Sequence, residues 1–153
     1  MSASPSPSSA PFFVDTNVLL YRLAAGELRK QPAAQLWIQT LWSHRAGRIS
    51  WQVIFEFYAN AVRKARIPAE VARRSVQELI MWQPEPPLHA TLERAWHWCD
   101  HAQINFWDAM ILAAAEQAGC RWLLSEDFQA GQNFDGITII HPFTSSPANY
   151  GLA

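Results

Sequence analysis

The stretch that most constrains the fold is FFVDTNVLLY, residues 12–21, because it places an aspartate inside an apolar run. An unpaired carboxylate in apolar surroundings is costly, so Asp15 must have a partner or a chemical task. Thr16 and Asn17 favour a turn from a strand into a helix. We therefore predict a buried strand that ends at Asp15 and leads directly into a helix. In open parallel α/β sheets, ligands bind at this end of the strands.

The composition predicts a single compact domain. The chain has 153 residues, of which 50% are hydrophobic and 16% are charged, which is enough for one hydrophobic core. The formal net charge of −1 gives no overall field that would attract nucleic acid or a membrane. Cys99 and Cys120 have no CxxC spacing, so we expect reduced thiols and no disulfide.

The two ends of the chain differ in composition from its centre. Residues 1–11 are rich in Ser, Pro and Ala and are predicted to be a disordered tail. They lack the basic and apolar regions of a signal peptide, and no segment reaches the length of a membrane-spanning helix. We expect a cytoplasmic protein with one domain over residues 12–145 and a C-terminal tail over residues 146–153.

Apolar runs that alternate with amphipathic stretches predict an α/β fold. Four short strands are predicted, at residues 12–14, 48–51, 121–125 and 137–143. Six helices are predicted, at residues 18–26, 32–47, 52–65, 67–82, 92–102 and 106–119. Residues 126–136, EDFQAGQNFDG, are predicted to be a loop. This alternation indicates a mainly parallel sheet with helices on both sides.

Four acidic residues lie against apolar stretches. Asp15 and Asp127 each follow a predicted buried strand, which places both at one edge of the sheet. Asp108 lies in the first turn of a helix, and Glu56 interrupts the apolar stretch VIFEFY. Each acid alone has an ordinary explanation as a helix cap, a favourable charge at a helix N-terminus, a turn residue or a solvated helix face. Together, four converging carboxylates would repel one another without a cation.

The ligand chemistry of these acids favours a hard divalent cation. Mg²⁺ and Mn²⁺ prefer oxygen ligands, and a carboxylate cluster that holds them commonly serves phosphoryl chemistry. A zinc site is disfavoured, because His97 and His101 have the i, i+4 spacing but lack the glutamate of HExxH. Neither a GxxxxGK[ST] loop nor a GxGxxG fingerprint is present, which disfavours P-loop and dinucleotide enzymes.

The motifs that carry these acids resemble those of the PIN-domain family, and within it the VapC-like toxins of type II toxin–antitoxin systems. In chain order they are VDTNVLLY, ISWQVIFEFY, FWDAMILAAAEQAGC and LLSEDFQAG. The resemblance extends from about Phe12 to Phe143. It implies a three-layer α/β/α sandwich with a short-stranded, mainly parallel central sheet. It also implies a Mg²⁺-dependent endoribonuclease that hydrolyses RNA by metal-activated water, with Mn²⁺ as a possible substitute.

The resemblance assigns roles position by position. It implies four acids that are both catalytic residues and metal ligands: Asp15, Glu56, Asp108 and Asp127. Asn17 matches the residue that orients the first acid, and Ser125 matches a small hydroxyl residue that often precedes the fourth. Glu126 stands where the family often has another residue, so it is either an added ligand or a solvent-facing side chain.

Residues 61–74 carry a local charge of +4, from five basic residues against one acid. Arg63, Lys64 and Arg66 are therefore candidates for RNA-phosphate contacts, although an ordinary solvated helix face explains them equally well. Trp51 and Trp107 lie beside site motifs and are candidates for base stacking, with core or interface packing as the commoner explanation for tryptophan.

The resemblance also implies protein partners, namely a cognate antitoxin and a second copy of the chain in a homodimer. The tryptophan-bearing helix at residues 32–46 is compatible with either surface and with core packing. Two other functions stay open. One is a non-catalytic RNA-binding or antitoxin-binding module of the same fold. The other is a phosphatase that uses Asp15 as phospho-acceptor, which would usually carry a second Asp where Asn17 stands.

Overall fold

The computed structural model describes residues 10–24, 26 and 28–152. Within this part of the chain there are five β-strands: β1 (Phe12–Val14), β2 (Gly47–Arg48), β3 (Trp122–Leu124), β4 (Asn133–Phe134) and β5 (Ile137–Ile140). The same part contains six α-helices: α1 (Thr16–Leu23), α2 (Lys30–Ser43), α3 (Trp51–Arg63), α4 (Ala69–Ile80), α5 (His89–Ala102) and α6 (Phe106–Gln117). The predicted α/β class and its three-layer α/β/α arrangement are confirmed.

The strands form one sheet in the order β2-β1-β3-β5-β4. All neighbouring pairs are parallel except β4 with β5. The register pairs Val14 with Leu124 and Leu124 with Ile140, so β1, β3 and β5 end side by side. The backbone N–H of Asp15 continues this ladder by donating to the carbonyl of Leu124 at 3.0 Å. The residues that follow β1 and β3 therefore meet at one edge of the sheet.

Two strands differ from the prediction for local reasons. The strand expected at residues 48–51 ends at Arg48, because the Ser50 side chain accepts the backbone N–H of Val53 at 3.3 Å and starts α3. The predicted loop 126–136 contains β4. Asp135 and Gly136 both have positive φ angles, 56° and 104°, and form the two-residue turn that joins β4 to β5.

The central strands are buried on both faces. Phe12, Val14 and Leu124 have no exposed surface, as expected for a parallel sheet covered by helices on both sides. Helix α2 packs one of its two tryptophans into this core. Trp37 is fully buried and donates its Nε1–H to the carbonyl of Pro142 at 2.9 Å, whereas Trp42 is 49% exposed.

The segment predicted as a C-terminal tail packs against the core as far as residue 152. Tyr150, at the end of a short 3₁₀ helix, contacts Phe12 edge to face with ring centroids 5.9 Å apart. Leu152 is buried. Most of the predicted N-terminal tail, residues 1–9, lies outside the described residues. Among the described helices, none combines the length and apolar character needed to cross a membrane.

Candidate active site

Asp15 occupies the junction between β1 and α1 and is buried. Its Oδ1 accepts the backbone N–H of Thr16 at 2.7 Å, so the carboxylate caps α1. Its Oδ2 accepts the hydroxyl of Ser125 at 2.7 Å. Ser125 is fully buried and directly follows β3, which the register places beside β1. Two short hydrogen bonds therefore hold the carboxylate of Asp15, the aspartate that lies within an apolar run of the sequence.

The environment of Asp15 opposes its ionisation. Burial raises the pKa of this carboxyl to about 7, from an ordinary value of 3.8. The hydrogen bonds from Ser125 and Thr16 lower the pKa and offset only part of the effect of burial. The negative charges of Asp127 and Asp108 raise it further. Near neutral pH, the Asp15 carboxyl is therefore poised between its protonated and ionised forms.

Glu56 lies on α3 and reaches the same edge of the sheet. Its Oε1 accepts the Thr16 hydroxyl at 3.4 Å and the side-chain amide of Gln52 at 3.2 Å. Thr16 thus contacts Asp15 through its backbone and Glu56 through its side chain. Burial raises the pKa of Glu56, and the charges of Asp108 and Asp127 add to this effect. The side chain is partly buried beside the cluster, so the solvated-face explanation does not apply to it.

Asp108 lies in the first turn of α6, as predicted. Asn105 caps this helix by accepting the backbone N–H of Asp108 at 2.9 Å, and its side-chain amide donates to Oδ2 of Asp108 at 2.7 Å. The pKa of Asp108 is raised, first by burial and then by the charge of Asp127. The helix N-terminus therefore fixes this carboxylate next to the other acids.

Asp127 is the most exposed of the four acids and follows β3 by a short loop. Its backbone N–H donates to the Ser125 hydroxyl oxygen at 3.1 Å, and its Oδ2 accepts the side-chain amide of Asn17 at 3.1 Å. The expectation that Asn17 orients Asp15 is therefore wrong in detail. Asn17, the second residue of α1, instead holds the side chain of Asp127 through this hydrogen bond.

The structure thus brings Asp15, Glu56, Asp108 and Asp127 into one electrostatically coupled cluster. All four donors are carboxylates, the ligand type that hard divalent cations prefer. The amide oxygen of Asn17 is buried at the same edge, and it has no hydrogen-bond partner among the described residues. In the same part of the chain, no group of three or more His, Cys, Asp or Glu side chains is already drawn together around one metal position.

Glu126 points away from this cluster. Its carboxylate accepts the Tyr21 hydroxyl at 2.8 Å and pairs with the Lys30 ammonium at 3.1 Å. The ammonium also lies over the ring of Phe143, 5.5 Å from its centroid. Glu126 is therefore neither a member of the acid cluster nor a free solvent-facing side chain. It ties the loop that carries Asp127 to the start of α2.

The basic candidates lie farther along α3. Arg63 is the last residue of the helix, Lys64 caps it, and Arg66 lies in the following turn with a φ of 54°. All three side chains are exposed, and none forms an ion pair with another described residue. The position favours positive charge in any case, because the C-terminus of a helix attracts cations. Their exposure keeps both the RNA-contact and the solvated-face explanations open.

Three residues that hold the acids in place were not singled out from the sequence: Thr16, Gln52 and Asn105. Asn105 had a readable signal, since asparagine just before an apolar helical run is a preferred N-cap residue. Gln52 precedes Glu56 by four residues, the spacing of neighbours on a helix. The hydroxyl of Thr16 had no separate signal, because its contact to Glu56 spans 40 residues.

Comparison with known proteins gives a family match and two similar folds. The family model for the PIN domain matches residues 12–132. The fold is similar to Mycobacterium tuberculosis VapC20, a sarcin–ricin-loop-cleaving toxin, with a TM-score of 0.58 and 22% identity over 76% of this chain and 91% of that one. It is also similar to a chain of a toxin–antitoxin complex from Klebsiella pneumoniae, with a TM-score of 0.60 and 19% identity over 87% of this chain and 98% of that one.

No curated protein matches the chain. The family model spans most of the sequence and contains all four acids of the cluster. The strand order, the positions of the acids and the match together lead to one conclusion: this chain belongs to the PIN domain family.

Proposed function

We propose that this protein is a Mg²⁺-dependent endoribonuclease that acts as the toxin of a toxin–antitoxin pair. The observation that carries the proposal is the convergence of Asp15, Glu56, Asp108 and Asp127, with raised pKa values for the first three. Proteins keep such mutually repelling carboxylates close together chiefly where a cation or a proton compensates them. A divalent cation is the compensating charge that also serves phosphodiester hydrolysis.

The donor set fits Mg²⁺, with Mn²⁺ as a substitute, because it consists of carboxylate oxygens and the amide oxygen of Asn17, which has no partner among the described residues. Asp15, Glu56, Asp108 and Asp127 would hold one or two ions. A bound ion would activate water and neutralise the charge that develops on the phosphate. Binding would also lower the pKa of Asp15, since a nearby cation favours the carboxylate over the carboxylic acid.

The chain's own residues would orient the reaction. The hydroxyl of Ser125 and the backbone N–H of Thr16 fix both oxygens of Asp15. The amides of Asn17 and Asn105 fix Asp127 and Asp108. Because these donors are held by the ends of β1, β3 and α6, the carboxylates stand ready before the substrate arrives.

The assignment as a toxin rests on the family and on the fold shared with VapC20 and the Klebsiella toxin–antitoxin chain. It predicts a cognate antitoxin as partner, RNA as substrate and the cytoplasm as the site of action. The half-exposed Leu36 and Trp42 on α2 supply apolar surface that a partner protein would cover. A homodimer is part of the same proposal and rests on the family resemblance alone.

A second function has one observation in its favour. Because no three acids are already gathered around one metal position in the described part of the chain, a non-catalytic module that binds RNA or an antitoxin would have the same structure. Such a module would need neither the ion nor the charge of Asp15.

Cleavage of labelled total RNA by the purified protein separates the two functions. The wild type and Asp15→Asn are assayed side by side with Mg²⁺ and with EDTA. We expect cleavage only by the wild type and only with Mg²⁺. Cleavage that survives EDTA or the Asp15→Asn change would refute the assigned site, and RNA retention without cleavage would favour the binding module.

A further inference from the structure

An apolar pocket opens beside the acid cluster, between α3 and α6. It has a volume of about 470 Å³, and its walls include Phe55, Trp107, Pro87 and Met110. Gln52 and Glu56 supply its polar side. Glu56 therefore belongs both to the acid cluster and to the pocket, which makes the two sites continuous.

Two large aromatic side chains form this pocket and are more than half exposed. Phe55 is 64% exposed and Trp107 is 61% exposed. Each directly precedes one of the acids in the sequence, namely Glu56 and Asp108. Neither aromatic ring belongs to the hydrophobic core, so core packing does not explain why these two residues are aromatic.

One side chain links the two helices at the pocket. The amide of Gln52 donates to the backbone carbonyl of Trp107 at 3.2 Å and to Glu56 at 3.2 Å. The link holds α3 against the first turn of α6. The link therefore joins the backbone of Trp107 to the helix that carries Phe55 and Glu56.

We propose that this pocket binds one unpaired nucleobase of the RNA strand, stacked on Trp107 and Phe55, next to the phosphate at the acid cluster. The inference rests on the proposed function and deepens it by naming the pocket of this chain that holds a base of the RNA. Unpaired RNA bases are commonly bound by stacking on aromatic side chains. Stacking accepts any base, because every base presents a π face.

The exposed face of α3 gives the strand a path beyond the pocket. Glu56, Ala59 and Arg63 are spaced by three and four residues, so they share one face of the helix. The small side chain of Ala59 leaves the middle of this face open. Arg63 lies two turns from Glu56, about 10 Å along the axis. A nucleotide bound at the pocket therefore places its neighbouring phosphate towards an exposed cation.

The charge at the pocket favours RNA over a second copy of the chain. A symmetric apolar contact at this face would bury two copies of the Glu56 carboxylate, which lines the pocket, and burying unpaired charge is costly. An RNA strand leaves this carboxylate beside the cation and the phosphate. The pocket and the basic end of α3 then serve one ligand.

Binding of single-stranded RNA tests the proposal. The probe is a fluorescein-labelled RNA of mixed sequence, about 12 nucleotides long, and its binding is followed by fluorescence anisotropy in the presence of Mg²⁺. All variants are built in the Asp15→Asn protein so that the RNA stays intact. We expect Trp107→Ala and Phe55→Ala each to weaken binding about tenfold, the scale of one lost base stack.

Trp96→Ala is the matched control, because Trp96 is 52% exposed on α5 and does not line the pocket. It should leave the affinity unchanged. Trp107→Phe should restore most of the affinity lost in Trp107→Ala, since phenylalanine can also stack. A probe of the same length with abasic residues should bind the Trp107→Ala variant and its parent equally.

Other outcomes overturn the proposal. Equal RNA affinity in the parent, Trp107→Ala and Phe55→Ala proteins would refute the base pocket and leave the proposed nuclease untouched. A drop from dimer mass to monomer mass in Trp107→Ala, with RNA affinity unchanged, would assign this face to contact between copies. Absence of RNA binding by the parent, together with absence of cleavage by the wild type, would refute the nuclease as well.

Discussion

The hydroxyl oxygen of Ser125 lies 2.7 Å from Oδ2 of Asp15. The same oxygen accepts the backbone N–H of Asp127 at 3.1 Å. One fully buried side chain therefore links two acids that follow neighbouring strands of the sheet. The positions of Asp15 and Asp127 depend on each other through this hydroxyl.

Replacing this hydroxyl should weaken the site more than the fold. Ser125→Ala removes a hydrogen bond to a buried carboxylate, which costs about 1–3 kcal/mol. The pKa of Asp15 should rise, because the hydrogen bond from Ser125 lowers it. We expect the variant to need more Mg²⁺ for half-maximal RNA cleavage and to reach its maximum rate at higher pH. Ser43→Ala is the control, since its exposed hydroxyl contacts only its own helix.

The raised pKa of Asp15 predicts how the metal-free protein responds to pH. The unfolded chain releases this proton near pH 3.8, and the folded protein releases it near pH 7. Between these values the folded state binds the proton and the unfolded state does not. The free energy of unfolding should therefore fall as pH rises from about 4 to 7 and then level off. The fall attributable to Asp15 is about 4 kcal/mol.

Urea unfolding in EDTA at several pH values measures this effect. The wild type should lose stability over the stated range, and Asp15→Asn should give a flatter curve, because asparagine does not titrate. The histidines are the same in both proteins, so the difference between the curves isolates Asp15. Mg²⁺ should raise the stability of the wild type more at pH 8 than at pH 5. Parallel curves for the two proteins would contradict the assigned pKa.

The role of Glu126 should differ from that of the four acids that we propose as metal ligands. Its carboxylate is taken up by Tyr21 and Lys30. Glu126→Gln should therefore leave the Mg²⁺ requirement of cleavage unchanged and should lower stability by about 1 kcal/mol or less, the value of a partly exposed ion pair. Glu56→Gln is the matched comparison and should raise the Mg²⁺ requirement strongly. An equal effect of the two changes would place Glu126 among the metal ligands.

The strands and acidic residues that can be predicted from the sequence are those whose neighbours in the chain form a recognisable pattern. The buried run before Asp15 and the run before Asp127 were readable, because parallel strands covered on both faces are continuously apolar. The β4–β5 hairpin also has a local signal, Asp135–Gly136, which is the common two-residue turn; the prediction of a loop over residues 126–136 does not use it. The position of Asp108 followed from its place at the start of a helix.

Other features depend on contacts between distant parts of the chain. The ion pair between Lys30 and Glu126 joins residues that are 96 positions apart, so no sequence periodicity predicts it. The inward face of α2 could not be fixed from its pattern, because Trp37 and Trp42 are both tryptophan and only tertiary packing on Phe12 selects Trp37. The partner of Asn17 likewise depends on a tertiary contact, between α1 and the loop that follows β3. No local sequence pattern indicates this contact.

The basic end of α3 gives a prediction that distinguishes phosphate contact from a solvated helix face. Arg63, Lys64 and Arg66 are exposed and form no ion pair with another described residue. If each contacts one phosphate, neutralising all three to Gln should reduce the slope of log affinity against log salt by about 2, since each contact to single-stranded RNA contributes about 0.7. The measurement is the fluorescence anisotropy of labelled RNA bound to the Asp15→Asn protein at several salt concentrations.

Arg121→Gln is the control for this prediction, because Arg121 precedes β3 and so lies at the end of the sheet opposite the acids. Arg121→Gln should leave the slope unchanged. If the triple variant also leaves the slope unchanged, Arg63, Lys64 and Arg66 form an ordinary solvated helix face and do not contact phosphate.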